Sequence, residues 1–413
     1  MKYKVRAAPF EPEINKRAQM RIAHGALTNS KRPECFVNGF YPTHLISGRG
    51  VKVKDVRGYE YVDYICGLGV NILGYAHTTV GDAAKDAIDK GPTLSLSTVK
   101  EVELAEKIND IFPFMEKVRF LKNGSDSCYA ALRIARAFKK NNNFVLSEGY
   151  HGIGEEFVSM TPPANGIPPH PYIQPLRKDY SDEDIKAVAA VIIEPFMTDG
   201  SDERIMWLRK LRDACTKYGT VLIFDETIHA LRVPKLSVAS YTGITPDLMI
   251  FGKALGNGFP ISVIGGRADI MDSDYFISST FAGEMASISA GIACLKALQS
   301  SSYDINFLWA KAGAFVQRFN DMSPKVKLEG YNTRGVFVGE PLDKALFMQE
   351  ACRSGLLFGP SWFYAFPHID LDDIVFNTLQ DVFFRIKSQN IKLEGALPKK
   401  PIAQQQREGI KNV

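Results

Sequence analysis

Apolar and polar positions change period several times along the chain. From Gly48 to Asp63 the period is two: Val51, Val53 and Val56, then Tyr59 and Tyr61, interrupted by Arg57-Gly58. That alternation around a glycine turn predicts a β-hairpin. A glycine-punctuated loop follows at Gly67–Gly74, then helices over 79–90 and 98–111. From about residue 117, short apolar runs at 118–121, 144–146, 188–193, 221–224, 248–251 and 261–264 alternate with helical stretches. In one of these, 205–218, Leu208, Leu211, Cys215 and Tyr218 fall on one face. Asp225 lies 31 positions after Glu194, which suits a strand–helix–strand crossover. Strands alternating with helices predict an α/β fold with a mostly parallel sheet covered by helices on both faces.

Outside this block the pattern is mixed. A helix is expected near Glu13–Leu27, and helices again at 281–300, 305–320, 342–354 and 371–388, with strands near 326–328 and 335–338. The terminal segments together predict a smaller α+β domain. The expected division is 1–65 for the N-terminal part of that domain, 66–300 for the large domain and 301–391 for the C-terminal part. Residues 392–413, polar and carrying Pro398, Pro401 and three glutamines, read as a loosely attached tail.

Composition narrows the function. In 413 residues, 50 basic and 46 acidic side chains leave a net charge of +4, which gives no argument for nucleic acid or a membrane surface as partner. No apolar run approaches the roughly 20 residues needed to span a bilayer. The first twelve residues lack the apolar core of a signal peptide. Six scattered cysteines without a CxxC pair read as reduced thiols of a cytoplasmic protein, and the seven scattered histidines make no zinc pattern, so no metal is expected.

In open parallel sheets, ligands bind beyond the carboxyl ends of the strands. Each apolar run here ends in polar or aromatic groups. Leu121 is followed by Asn123-Gly124-Ser125, Leu146 by Tyr150 and His151, Ile193 by Glu194, Phe224 by Asp225 and Phe251 by Lys253. Each has an ordinary reading: a helix cap at Asn123 or Ser125, a core tyrosine at Tyr150, a capping or loop carboxylate at Asp225, a solvated loop lysine at Lys253. Each also has a chemical one. A glycine-serine helix start suits a phosphate. A lysine between glycines, near apolar walls, becomes a nucleophile toward carbonyls. A phosphate cradle, a stacking aromatic, a carboxylate for a ring nitrogen and an amine nucleophile are together what pyridoxal phosphate requires.

At these residues the chain resembles a class III (fold type I) pyridoxal-phosphate aminotransferase, in particular the glutamate-1-semialdehyde aminomutase branch. The matching segments include Val53–Asp63, Ile72–His77, Asn123–Asp126, Tyr150–Gly152, Val191–Pro195, Ile223–Glu226, Pro246–Gly258, Gly265–Met271 and Ser279–Glu284. The resemblance implies a fold type I transferase in which Lys253 forms a Schiff base with the cofactor and moves protons. Asp225 is implied to pair with the pyridine nitrogen, and Gly124 and Ser125 to hold the phosphate. Tyr150 and Thr227 would pack the two ring faces, and Glu194 and Glu226 would support the site from behind. It further implies that Thr280 reaches the phosphate of a neighbouring copy, hence a homodimer with shared sites. The substrates would be an amine or amino-acid donor and a carbonyl acceptor.

The substrate side departs from that branch. Its serine–proline–valine–arginine run, whose arginine grips the substrate carboxylate, is matched here by Val37–Pro42 with no arginine, and its tryptophan by Leu68. Here Thr227 follows Asp225-Glu226, and Gly283 is followed by Glu284-Met285. These differences point to intermolecular transamination, with Arg232 as a candidate carboxylate clamp. The alternatives are an intramolecular 1,2-amino shift and a non-catalytic relative, which would need neither Lys253 nor Asp225. A dinucleotide enzyme would fit the alternation, but the chain lacks a GxGxxG opening a helix.

Overall fold

The computed structural model describes residues 8–140, 143–160, 166–168 and 170–411. The chain forms two compact units, Met1–His77 with Phe307–Gln405, and Thr78–Asn306 with Gln406–Val413.

The larger unit is built on seven strands: β1 (Lys117–Leu121), β2 (Val145–Glu148), β3 (Ile173–Pro175), β4 (Ala190–Ile193), β5 (Val221–Asp225), β6 (Leu248–Phe251) and β7 (Ser262–Gly266). Their order across the sheet is β1-β7-β6-β5-β4-β2-β3. The pairs β6/β5, β5/β4, β4/β2 and β2/β3 are parallel, and β7 is antiparallel to both β1 and β6. The sheet is therefore α/β and mostly parallel, with β7 alone reversed. Every residue of β4, β5 and β6 is buried, which explains why these strands are unbroken apolar runs rather than alternating ones. Helix α1 (Gly124–Lys139) lies against the sheet, where Leu132 and Ile134 join Val145, Ile192, Ile223 and Ile250 in one core. Since β1, β2, β4, β5 and β6 run in one direction, their carboxyl ends share one edge.

Helix α2 (Asp202–Tyr218) fills the crossover between β4 and β5, capped by Ser201 at its start and by left-handed Gly219 at its end. Helix α3 (Met285–Leu298) is buried almost all round and packs on the helices Thr78–Asp89 and Val99–Ile111.

The smaller unit holds a four-stranded sheet of Leu45–Arg49, Lys52–Asp55, Glu60–Asp63 and Leu356–Leu357. The expected hairpin is there, with its turn at Arg57-Gly58, and an additional strand, Leu45–Arg49, precedes it. A second sheet joins Lys327–Tyr331, Arg334–Val338 and Trp362–Phe363. Its core is aromatic: Tyr64 stacks on Phe358 and His368, and Phe315 on Trp362.

The unit boundary lies at 77/78 rather than 65/66. The loop after the hairpin is bonded back onto it: Tyr75 and Gly50 exchange backbone hydrogen bonds at 2.6 and 2.9 Å, and Phe366 N–H donates to Ile72. The segment expected to be a loose tail carries a helix, Ile402–Lys411, and Arg407 on it is buried. Its end, from Gln406 on, groups with the larger unit. Among the described residues no helix is long and apolar enough to cross a membrane.

Candidate active site

The site gathers at the carboxyl edge of the large sheet. Past the end of β6 the chain turns at Gly252 into a single helical turn, Lys253–Gly256. Lys253 sits at φ 41°, a left-handed conformation that costs a non-glycine residue about 1–3 kcal/mol and persists only where its surroundings enforce it. Protein encloses its side chain, with part of the surface still open. That enclosure lowers its pKa to about 8, against the opposing pull of Asp225. Near neutral pH a sizeable fraction of the amine is uncharged and nucleophilic.

Asp225 closes β5 and is buried. Burial alone would raise its carboxyl, but bonded neighbours outweigh it, His151 foremost, and hold it well below the usual range. His151 Nδ1 lies 2.8 Å from Oδ2, the Cys128 thiol donates to the same oxygen at 3.2 Å, and Thr227 N–H donates to Oδ1 at 2.9 Å. His151 Nε2 lies 3.1 Å from the Glu148 carbonyl, which can only accept, so this nitrogen carries a hydrogen. The ligand atoms of Cys128, His151 and Asp225 lie within 4.8 Å of one another, a spacing metals also use. Here thiol and imidazole both bond the carboxylate, which makes a braced anion.

Tyr150 and His151 lie on a loop between two left-handed glycines, Gly149 at φ 114° and Gly152 at φ 94°. A Cβ on Gly152 would fall 2.0 Å from Ser125 Oγ, and one on Gly149 would fall 2.8 Å from Glu194 Cγ. Only glycine lets this loop approach the α1 end and the β4 end together. Ser125 Oγ accepts from Ile153 N–H at 3.2 Å, and Glu194 Oε1 accepts from Tyr150 N–H at 2.6 Å. Asn123, and not Ser125, caps α1, taking the Asp126 N–H at 2.9 Å. The N–H groups of Gly124 and Ser125 are left to the open end of a 16-residue helix, where the dipole favours an anion.

Of the nine residues given a site role by the resemblance, seven meet at one edge: Gly124, Ser125, Tyr150, Glu194, Asp225, Thr227 and Lys253. Thr280 is exposed, in the turn leading into α3. Glu226 faces another way: burial raises it to about 7, and its carboxylate accepts the Val238 and Ala239 N–H groups at 2.7 and 2.9 Å, capping the helix Val238–Thr242. Arg232 is buried. Sequence reasoning passed over Arg407, whose Nε and Nη2 reach Glu194 at 2.8 and 3.1 Å. An isolated arginine in a polar tail carries no local signal of such a partner. Cys128 was equally silent, one alanine-rich helix position among several.

The donor set matches pyridoxal phosphate group by group. An amine of lowered pKa suits its aldehyde, and a carboxylate held ionised suits its ring nitrogen. An open helix start hugged by a glycine loop suits its phosphate.

Comparison with known proteins agrees. The family profile "Aminotransferase class-III" matches residues 39–361. The glutamate-1-semialdehyde 2,1-aminomutase of Thermodesulfovibrio yellowstonii is 33% identical over 312 residues, 68% of this chain and 72% of that one. That of Methanococcoides burtonii is 34% identical over 63% of this chain and 68% of its own. Among solved structures, the Sphingopyxis FumI protein, in its pyridoxal-phosphate internal aldimine form, has a TM-score of 0.82 at 23% identity, over 91% of this chain and 96% of that chain. An omega-transaminase from Sphaerobacter thermophilus has a TM-score of 0.77 at 22% identity, covering 90% and 97%. The solved structures speak to the fold alone, and it is the fold type I transferase fold. By profile, relatives and fold together, the chain belongs to the class III aminotransferases, enzymes that work with pyridoxal phosphate.

Proposed function

We propose that this enzyme is an aminotransferase that exchanges an amino group between an amine or amino-acid donor and an aldehyde or ketone, in two half-reactions at one site. The observation that carries this is Lys253: an enclosed amine with pKa near 8, held by a strained backbone and interacting with the Asp225 carboxylate. Pyridoxal phosphate, when bound, supplies an aldehyde to which amines add and a ring that stabilises negative charge on the neighbouring carbon.

The chain's own groups do the rest. Lys253 Nζ, an amine of lowered pKa, would hold the cofactor through its aldehyde and would carry a proton to and from the substrate carbon. Asp225, braced by His151 and Cys128, would hold a proton on the ring nitrogen. The Gly124 and Ser125 N–H groups and the Ser125 hydroxyl hold the phosphate. Tyr150 and Thr227 would pack the two faces of the ring, and Glu194 fixes the Tyr150 backbone. Thr280, exposed on its turn, contacts the phosphate of a second copy in a homodimer with shared sites. The protein is expected in the cytoplasm.

An intramolecular 1,2-amino shift is the second reading, favoured by relatives named as aminomutases at 33–34% identity. Against it stands the absence of an arginine in Val37–Pro42. The experiment has two parts. Wild-type protein given pyridoxal phosphate should show the visible absorption of cofactor joined to a lysine, and Lys253→Ala should lose that band and all but a trace of turnover. A colourless wild-type protein would sink the enzyme reading. Next, amine donors are screened with and without an added keto acid. Turnover that needs the keto acid supports transamination, and turnover without it moves the assignment to the amino shift.

A further inference from the structure

The Glu194 carboxylate is shared between two segments far apart in the chain. Its Oε1 accepts the Tyr150 N–H at 2.6 Å and the Arg407 Nε–H at 2.8 Å, and its Oε2 accepts Arg407 Nη2 at 3.1 Å. Both side chains of the ion pair are buried, with Arg407 7% and Glu194 2% exposed. The Arg407 guanidinium also lies over the Tyr150 ring, 5.5 Å from its centre. Arg407 therefore touches both the backbone anchor and the ring face of the Tyr150 loop. Burial raises the Glu194 carboxyl, but the charge and hydrogen bond of the Arg407 guanidinium, together with His229, hold it below its ordinary range. Lys253 feels the same cation. After burial and Asp225, Arg407 is the next influence on its amine and acts to lower the pKa.

A buried, two-point guanidinium–carboxylate pair has one defined geometry, whereas a lysine in its place offers a single point charge. Its loss would leave Glu194 as an uncompensated charge in the interior. Glu194 would then turn toward solvent or take up a proton, and the Tyr150 N–H would lose its fixed acceptor. The loop has little sideways stiffness of its own, because both its flanking residues are glycines.

We infer that Arg407 is a positioning residue of the cofactor site: the C-terminal helix seats it against Glu194, and through Glu194 it fixes the Tyr150 loop that covers the cofactor ring. The site is complete only when helix Ile402–Lys411 is folded in place. This inference rests on the cofactor reading above.

The test measures cofactor binding and the visible band apart from turnover. Pyridoxal phosphate is titrated into cofactor-stripped wild-type protein, R407M, R407K, E194Q and the double variant E194Q/R407M. Each protein's fold is checked by far-ultraviolet circular dichroism. We expect R407M to bind the cofactor about tenfold or more weakly, as loss of a buried partner predicts. R407K should be intermediate. The pH midpoint of the band should move upward in R407M, since a cation near the Lys253 nitrogen has gone. The double variant should be no weaker than R407M, because Arg407 acts through Glu194. If R407M fails to fold with Glu194 unpaired, the double variant carries the test, as it buries neither charge. Wild-type affinity and band midpoint in R407M, or in the double variant, overturn the inference. So does full additivity of the two single effects. Unchanged cofactor binding with a raised KM for an acidic acceptor also overturns it, and moves Arg407 to the substrate. A wild-type protein that forms no band at all fails the cofactor reading instead, whatever Arg407 does.

Discussion

Asp225 shows how much of this site depends on a few hydrogen atoms. Three donors converge on one buried carboxylate, and the result is an anion that stays ionised where burial would otherwise neutralise it. Asp225→Asn keeps the shape and removes the charge. Turnover should fall about 100-fold or more, the usual scale for one aimed electrostatic group, measured as kcat at saturating cofactor. The Lys253 amine titrates near 8 in the cofactor-free protein, so the rate of cofactor capture should rise with pH and level off above about 8. Since Asp225 raises that pKa, the same profile in Asp225→Asn should level off at lower pH. A wild-type profile still climbing toward 10 would contradict the lysine's environment. The linked stability has a definite sign. The folded amine has pKa about 8 against its ordinary 10.5, so in that window the unfolded chain holds the extra proton. The lysine's contribution to stability therefore grows as pH rises from about 8 to 10.5.

At the scale of elements, the site is the set of turns that follow parallel strands. The end of β2 is tied to α2 by a buried pair: Arg204 bonds Glu148 at 3.0 and 2.6 Å and the carbonyls of Pro195 and Glu194 at 2.7 and 3.2 Å. One arginine thus holds the exits of β2 and β4 in register beneath the Tyr150 loop. Arg204→Met would leave Glu148 unpaired, and stability should drop by about 3–5 kcal/mol in a urea titration. A loss under 1 kcal/mol would mean that the strand ends are fixed by something else. The strands themselves were legible because unbroken apolar runs of four or five residues have few other uses. Helix Ile402–Lys411 was not, because its polar sequence resembles a solvated tail until Glu194 is set beside it. The reversal of β7 was equally hidden: an antiparallel strand buried on both faces carries the same apolar run as a parallel one.

For the whole molecule, the expectation is a pair of chains with shared sites. Large apolar side chains are exposed in the larger unit, among them Leu96 at 85%, Val99 at 74% and Phe281 at 59%, and such exposure favours an interface. If Thr280 serves the neighbour's phosphate, a hybrid of Lys253→Ala and Thr280→Ala subunits contains one intact site and one with both defects. Mixing the two inactive variants under exchange should restore about a quarter of wild-type activity, the fraction set by random pairing in a twofold dimer. No recovery from a mixture that has demonstrably exchanged subunits would place Thr280 in its own chain's site or in none.

By itself the sequence determined the alternation of strands and helices, and with it a mostly parallel sheet and the edge at which chemistry gathers. It also named the order of groups along that edge, from Gly124 to Lys253. These are local matters, since runs of apolar residues and the residues just after them lie within a few positions of one another. Only the tertiary structure decided what each group leans on: His151 and Cys128 on Asp225, Arg204 on Glu148, and Arg407 on Glu194 across more than two hundred residues. Burial turns these contacts from solvated charges into fixed ones, and burial is a property of the folded chain that no short stretch of sequence possesses.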